Sequence, residues 1–143
     1  MKSNECSTLN SLLRGELAAT ETYQQALAKV GNEAEATELR RIHVQHREAA
    51  NTLRQHIHSH GGKPDQDSGV WGKFAKAVEG TATLLGNSAA LKALKEGEER
   101  GIKDYEAAVK DEKLPGDCKT LISTKLLPQT REHVPVLERL MKV

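Results

Sequence analysis

Apolar side chains recur along this chain at the three-and-four spacing of an α-helix, in four separate stretches. The first face carries Leu9, Leu12, Glu16, Ala19, Tyr23, Ala26 and Val30, and the second Leu39, Ile42, His46, Ala49, Leu53 and His56. The third carries Leu91, Leu94, Glu98, Gly101, Tyr105 and Ala108, and the fourth Ile122, Leu126, Gln129, His133, Val136 and Leu140. These predict helices from Ser7 to about Val30, from Glu33 to His58, from Asn87 to Lys110, and from Asp117 onward. Ser7, Asn32 and Asp117 are the expected N-caps, with Glu35 completing a capping box. Gly31-Asn32, Gly61-Gly62-Lys63-Pro64 and Leu114-Pro115-Gly116 are the breaks between them. Pro128 and Pro135 fall inside the fourth helix, where each removes a backbone donor, so a kink or bulge is expected there.

The stretch from Val70 to Leu85 places Val70, Trp71, Phe74, Val78 and Leu85 on one face and predicts a short helix capped by Ser68. It would carry the chain along the bundle so that the second and third helices run parallel. Trp71 and Phe74 are expected to pack against the bundle ends as apolar anchors.

The helices pair by repetition. Glu16 is followed at seven residues by Tyr23, and Glu98 at seven by Tyr105, each glutamate preceded by glycine. Gln45-His46-Arg47-Glu48 likewise corresponds to Gln129-Thr130-Arg131-Glu132. Two similar helical hairpins, neither able to bury its apolar face alone, predict an all-α four-helix bundle in one domain over residues 1–143. Each repeat then puts a carboxylate on a buried face, which is costly unless it is paired, protonated or bound to a cation. Glu16 and Glu98 should face each other near the middle of the bundle, each at the level of the other's tyrosine.

Composition narrows the partners. The formal net charge is +1 over 143 residues, which gives no electrostatic case for nucleic acid or an anionic membrane. No apolar run reaches the length of a transmembrane span, and Met1 to Asn10 lacks a basic-then-apolar leader pattern, so a cytoplasmic location is expected. Cys6 and Cys118 match no zinc or redox spacing and are expected as two thiols. A homo-oligomer is an open expectation; no protein partner is indicated.

The paired Glu-x6-Tyr helices, the long second-to-third connection and the short outer turns resemble the ferritin-like superfamily. More closely, the chain resembles a bacterial ferritin-like family known as a domain of unknown function, including the Gly-Gly-x-Pro stretch at Gly61 to Pro64 and the Gly-Glu and Arg-Gly pairs of the third helix. The resemblance implies an up-down-down-up bundle with a short crossover helix between helices two and three. It also implies that Glu16 and Glu98 are metal ligands, with Tyr23 and Tyr105 ordering them by hydrogen bonds. Iron at such a site would imply ferroxidase or peroxide-reducing activity, in a stress or metal-handling role.

The pattern departs on helices two and four, where Glu-x-x-His is replaced by Gln45-x-x-Glu48 and Gln129-x-x-Glu132. The candidate ligands there are His46 and His133, with Glu48 or Glu132 in reach, a donor set suited to Fe, Mn or Zn. The rival expectation is a metal-free structural or protein-interaction bundle that has lost the di-iron centre. In such a core, Glu16→Leu is expected to be neutral or stabilising. His56 and His60, one helical turn apart, are expected to be an exposed and adventitious metal binder at most.

Overall fold

The computed structural model describes residues 2–29, 33–66 and 87–142, and within them all side chains except those of 2–5, 29 and 87–89. The expected crossover helix with Trp71 and Phe74, and the Gly31-Asn32 turn, lie outside the described residues. What is described is all-α, in four helical rods. They are α1 (Lys2–Lys29), α2 (Glu33–Ser59), α3 (Asn87–Val109), and a fourth made of α4 (Gly116–Leu121), a π-helical turn (Ile122–Leu126) and α5 (Leu127–Met141). No helix among the described residues is long and apolar enough to cross a membrane.

The apolar spacing is realised as burial. Leu9, Leu39, Ile42, Leu53, Ile122 and Leu137 are wholly inaccessible, each stabilising the fold by roughly 1.5–3 kcal/mol through area removed from water. Two apolar clusters form. One gathers Leu9 and Leu13 from α1, Leu53 and Ile57 from α2, Ala108 from α3, and Cys118 and Ile122 from the fourth rod. The other gathers Tyr23 and Ala26, Leu39 and Ile42, Leu91 and Leu94, and Leu137 and Leu140. The first cluster therefore holds the first half of α1 with the later parts of α2 and α3, and the second cluster holds the reverse. α1 packs mainly on α2, and α3 mainly on α5.

Two boundaries differ from the sequence expectation, and one expected irregularity takes a definite form. α1 begins at Lys2, not at Ser7, because the extra turn places Cys6 in the first cluster. Asp117 does not cap the fourth rod, since Pro115 occupies that position and Asp117 sits in the first turn. The bulge expected from the prolines is present as the π turn, in which the Leu127 amide bonds to the Ile122 carbonyl. Pro128 follows, with no amide to give and a ring that would collide with the carbonyl four residues back in a regular helix. After the wide turn Thr130 and Leu137 face the core where the spacing assigned Gln129 and Val136, while His133 and Leu140 keep the buried positions it gave them.

The end of α2 is fixed by a Schellman closure. Gly61 adopts φ 80, a left-handed conformation that favours glycine. The Gly62 amide then donates to the Ile57 carbonyl (2.9 Å) and the Gly61 amide to that of His58 (3.0 Å). The segment beyond is tied to α1, where the Asn10 side chain donates to the Lys63 carbonyl (3.0 Å) and accepts from the Asp65 amide (2.8 Å), beside an Arg14–Asp65 ion pair.

Candidate metal centre

Between the two apolar clusters lies one polar layer, built from Glu16 on α1, His46 on α2, Glu98 on α3 and His133 on α5. All four side chains are buried, at 2–5% exposure. Each sits on the core-facing stripe of its helix, so the same periodicity that buries the leucines also buries them.

The repeat explains the wiring. Seven residues make about two helical turns, so each tyrosine stands on the face of its own glutamate roughly 10 Å away. Because α1 and α3 run in opposite directions, each tyrosine arrives at the other helix's glutamate. The Tyr23 hydroxyl donates to Glu98 Oε2 (2.5 Å), and the Tyr105 hydroxyl donates to Glu16 Oε2. Burial raises the pKa of both hydroxyls, and the accepting carboxylate raises it further, so both remain protonated donors.

His46 bridges the two carboxylates, with Nδ1 donating to Glu16 Oε1 (2.5 Å) and Nε2 to Glu98 Oε2 (2.7 Å). Burial works against its protonation, but Glu98 and Glu16 outweigh burial and raise its pKa well above the ordinary value. His133 lies against the same centre, its Nδ1 3.0 Å from Glu98 Oε1 and its Nε2 2.6 Å from Gln45 Oε1. The two imidazole rings are 4.9 Å apart. Burial would raise the Glu98 carboxyl, yet His46 and His133 overcome it and hold the carboxyl at about 2.

One potential ligand atom from each of His46, Glu98 and His133 lies within 4.8 Å of the others. Beside them, between α1 and α3, is a cavity of about 50 Å³ lined by Gly15, Glu16, Ala19, Tyr23, Gly97, Glu98 and Gly101 among others. A methyl group at Gly15 would meet nothing within 4 Å, so the space beside it is open.

Of the sequence candidates, Glu16, Glu98, His46 and His133 converge, with Tyr23 and Tyr105 attached. Glu48 and Glu132 do not join them, for both are exposed. Glu48 stands two residues past His46, about 200° around the helix, and Glu132 one residue before His133, about 100° around. Gln45 is the contact that sequence reading missed. Its amide reaches His133 from one position before His46, and the only signal was its place in the Gln-x-x-Glu repeat.

Residues 4–111 match the family model described as a domain of unknown function (DUF2383). The chain belongs to that family. No curated protein and no solved structure matches it. Family membership thus covers α1, α2 and α3, with Glu16, His46 and Glu98, while His133 lies beyond the matched residues.

Proposed function

We propose that this DUF2383 protein is a ferritin-like up-down-down-up bundle whose core binds one divalent transition-metal ion through His46, Glu98 and His133. The two apolar clusters support the topology, since one groups the start of α1 with the ends of α2 and α3, and the other groups the end of α1 with their starts. The observation that carries the metal reading is the set of outer partners. Glu16 accepts from His46 Nδ1, which directs Nε2 inward. Gln45 occupies His133 Nε2, which directs Nδ1 inward. Carboxylate or amide partners on the outer nitrogen are how ligating imidazoles are oriented. Two imidazoles and one carboxylate suit Fe, Mn or Zn and leave positions open towards the cavity, so the set favours reaction with a small ligand over a purely structural ion. Glu16 then acts as a positioning residue rather than as the ligand the resemblance implied. A role in stress response or metal handling fits this chemistry, and bound iron would supply redox chemistry there.

A second reading, a metal-free structural or interaction bundle, is favoured by the closure of the hydrogen bonds. Both nitrogens of His46, both carboxylates and both tyrosine hydroxyls have partners without an ion. Elemental analysis of untagged protein, followed by aerobic Fe(II) addition monitored in the near-ultraviolet, separates the two. The metal reading expects an ion whose content falls in both Glu98→Gln and His133→Ala. Metal content unchanged by either substitution would mean that the core layer holds no ion, leaving only the metal-free reading of that layer.

A further inference from the structure

A second group of ligand-bearing side chains lies at the end of the bundle, away from the core layer. His56 and His60 stand one turn apart at the end of α2. Helix ends ordinarily fray, but the closure at Gly61 holds this one, and the His60 amide still bonds to the His56 carbonyl (3.1 Å). Both imidazoles therefore keep one face. Opposite them, α4 opens after Pro115, with the Lys119 amide bonded to the Pro115 carbonyl (3.0 Å), which fixes Asp117 and Cys118 in its first turn.

The four side chains converge. Cys118 Sγ is 3.6 Å from His56 Nδ1 and 3.6 Å from His60 Nε2. Asp117 Oδ2 is 3.6 Å from His56 Nδ1 and 3.1 Å from His60 Nε2. All four ligand atoms lie within 4.8 Å of one another. A tetrahedral zinc ion, with bonds of about 2.05 Å to nitrogen, 2.1 Å to oxygen and 2.3 Å to sulfur, requires nitrogen–sulfur edges of about 3.5 Å and nitrogen–oxygen edges of about 3.4 Å. The observed edges agree with these to within a few tenths of an ångström.

We propose that His56, His60, Asp117 and Cys118 form a second metal site, a thiolate–imidazole–carboxylate centre for Zn(II) that joins the end of α2 to the start of the fourth rod. Hydrogen bonding alone needs one acceptor per donor. Here the same two nitrogens converge on both the sulfur and one carboxylate oxygen, as ligands around a common centre do. Cys118 is fully buried and forms the floor. The imidazoles are 23% exposed and Asp117 57%, so an ion enters from solvent. The sulfur selects Zn(II) over Mn(II) or Mg(II), and binding releases the thiol proton. Asp117 and Cys118 lie past residue 111, where the family match ends, and the core layer contains no sulfur, so this site stands independently of the proposed core centre.

Titration of the untagged full chain with Co(II), followed by displacement with Zn(II), tests it. The expected result is tetrahedral visible absorption with a near-ultraviolet thiolate-to-cobalt band, lost in Cys118→Ser and retained in Glu98→Gln. In His60→Ala the Co(II) affinity should fall at least about tenfold, since losing a ligand costs no less than losing a group that orients one. Absence of the thiolate band in the wild type, or its persistence in Cys118→Ser, overturns the proposal. Should Cys118→Ser fail to fold by circular dichroism, His60→Ala decides, and an undiminished affinity there overturns it equally.

Discussion

At the scale of single residues, Glu16 shows how partners reverse an expectation drawn from type and spacing. A buried carboxylate without known partners is costly, so Glu16→Leu was expected to be neutral or stabilising in a metal-free core. In the structure Glu16 accepts from His46 Nδ1 and from the Tyr105 hydroxyl. Leucine would strand both donors in a buried site. Breaking one side of such a pair costs about 3–5 kcal/mol, so Glu16→Leu should lower the melting temperature by about 10 °C in a chain of this size. Calorimetry in chelating buffer measures it, and an unchanged or raised melting temperature would refute the wiring described here. The same layer fixes a pH profile. Glu98 has a carboxyl held at about 2 against an ordinary 4.5, so its contribution is present above pH 4.5 and is lost as pH falls towards 2. His46 has a raised pKa, so its contribution is complete below its ordinary 6.5 and is lost as pH rises through the folded value. The metal-free protein should be most stable between about pH 4.5 and 6.5, declining on both sides. Chelated melts across that range check the prediction, and a maximum above pH 8 would contradict it.

At the scale of elements, the helices were legible wherever burial alone decides the pattern. Leu39, Ile42, His46, Ala49 and Leu53 were placed on one face of α2 by spacing, and all five are buried. The errors fall at ends and at the irregular turn, where a local partner outweighs periodicity. Asp117 has the chemistry of a cap, yet its carboxylate lies against His60. Pro128 announced a bulge but not its width, and beyond it Thr130 and Leu137 lie inward in place of Gln129 and Val136. This same rod yields a prediction. Pro135 is exposed within α5 and leaves the Arg131 carbonyl without its usual donor. Proline inside a helix costs ~3 kcal/mol, of which ~0.4–1 is recovered through a stiffer unfolded chain. Pro135→Ala should therefore stabilise the protein by about 2 kcal/mol and raise its melting temperature by ~4–8 °C. A lower melting temperature would instead mean that the irregularity at Pro135 is needed to aim His133.

At the scale of the whole molecule, the polar layer is the joint between the two halves. α1 packs mainly on α2, and α3 mainly on α5. The contacts of Tyr23 with Glu98, Tyr105 with Glu16, His46 with Glu98 and Gln45 with His133 all cross from one hairpin to the other. Sequence repetition revealed that two carboxylates would meet at this level, because equal seven-residue spacing on opposed helices leaves no other register. Repetition could not pair His46 with His133, since His46 corresponds in the repeat to Thr130, and it was the helical spacing of the fourth rod that placed His133 inward. An ion held here would bind the folded chain and not the unfolded one, so it would stabilise all four rods together. At a free concentration a hundredfold above its dissociation constant, the gain is about 2.7 kcal/mol, or roughly 5–10 °C in melting temperature. Binding must also displace the proton that the two carboxylates keep on His46, so the gain should shrink as pH falls and proton release should accompany binding at neutral pH. Fe(II), added anaerobically to Cys118→Ser protein, isolates this effect from the second site. The expected rise is present there, absent in Cys118→Ser combined with Glu98→Gln, and accompanied by acidification of a weakly buffered solution. A rise that survives loss of Glu98, or that grows at lower pH, would show that the ion binds elsewhere and that the joint is held by its hydrogen bonds alone.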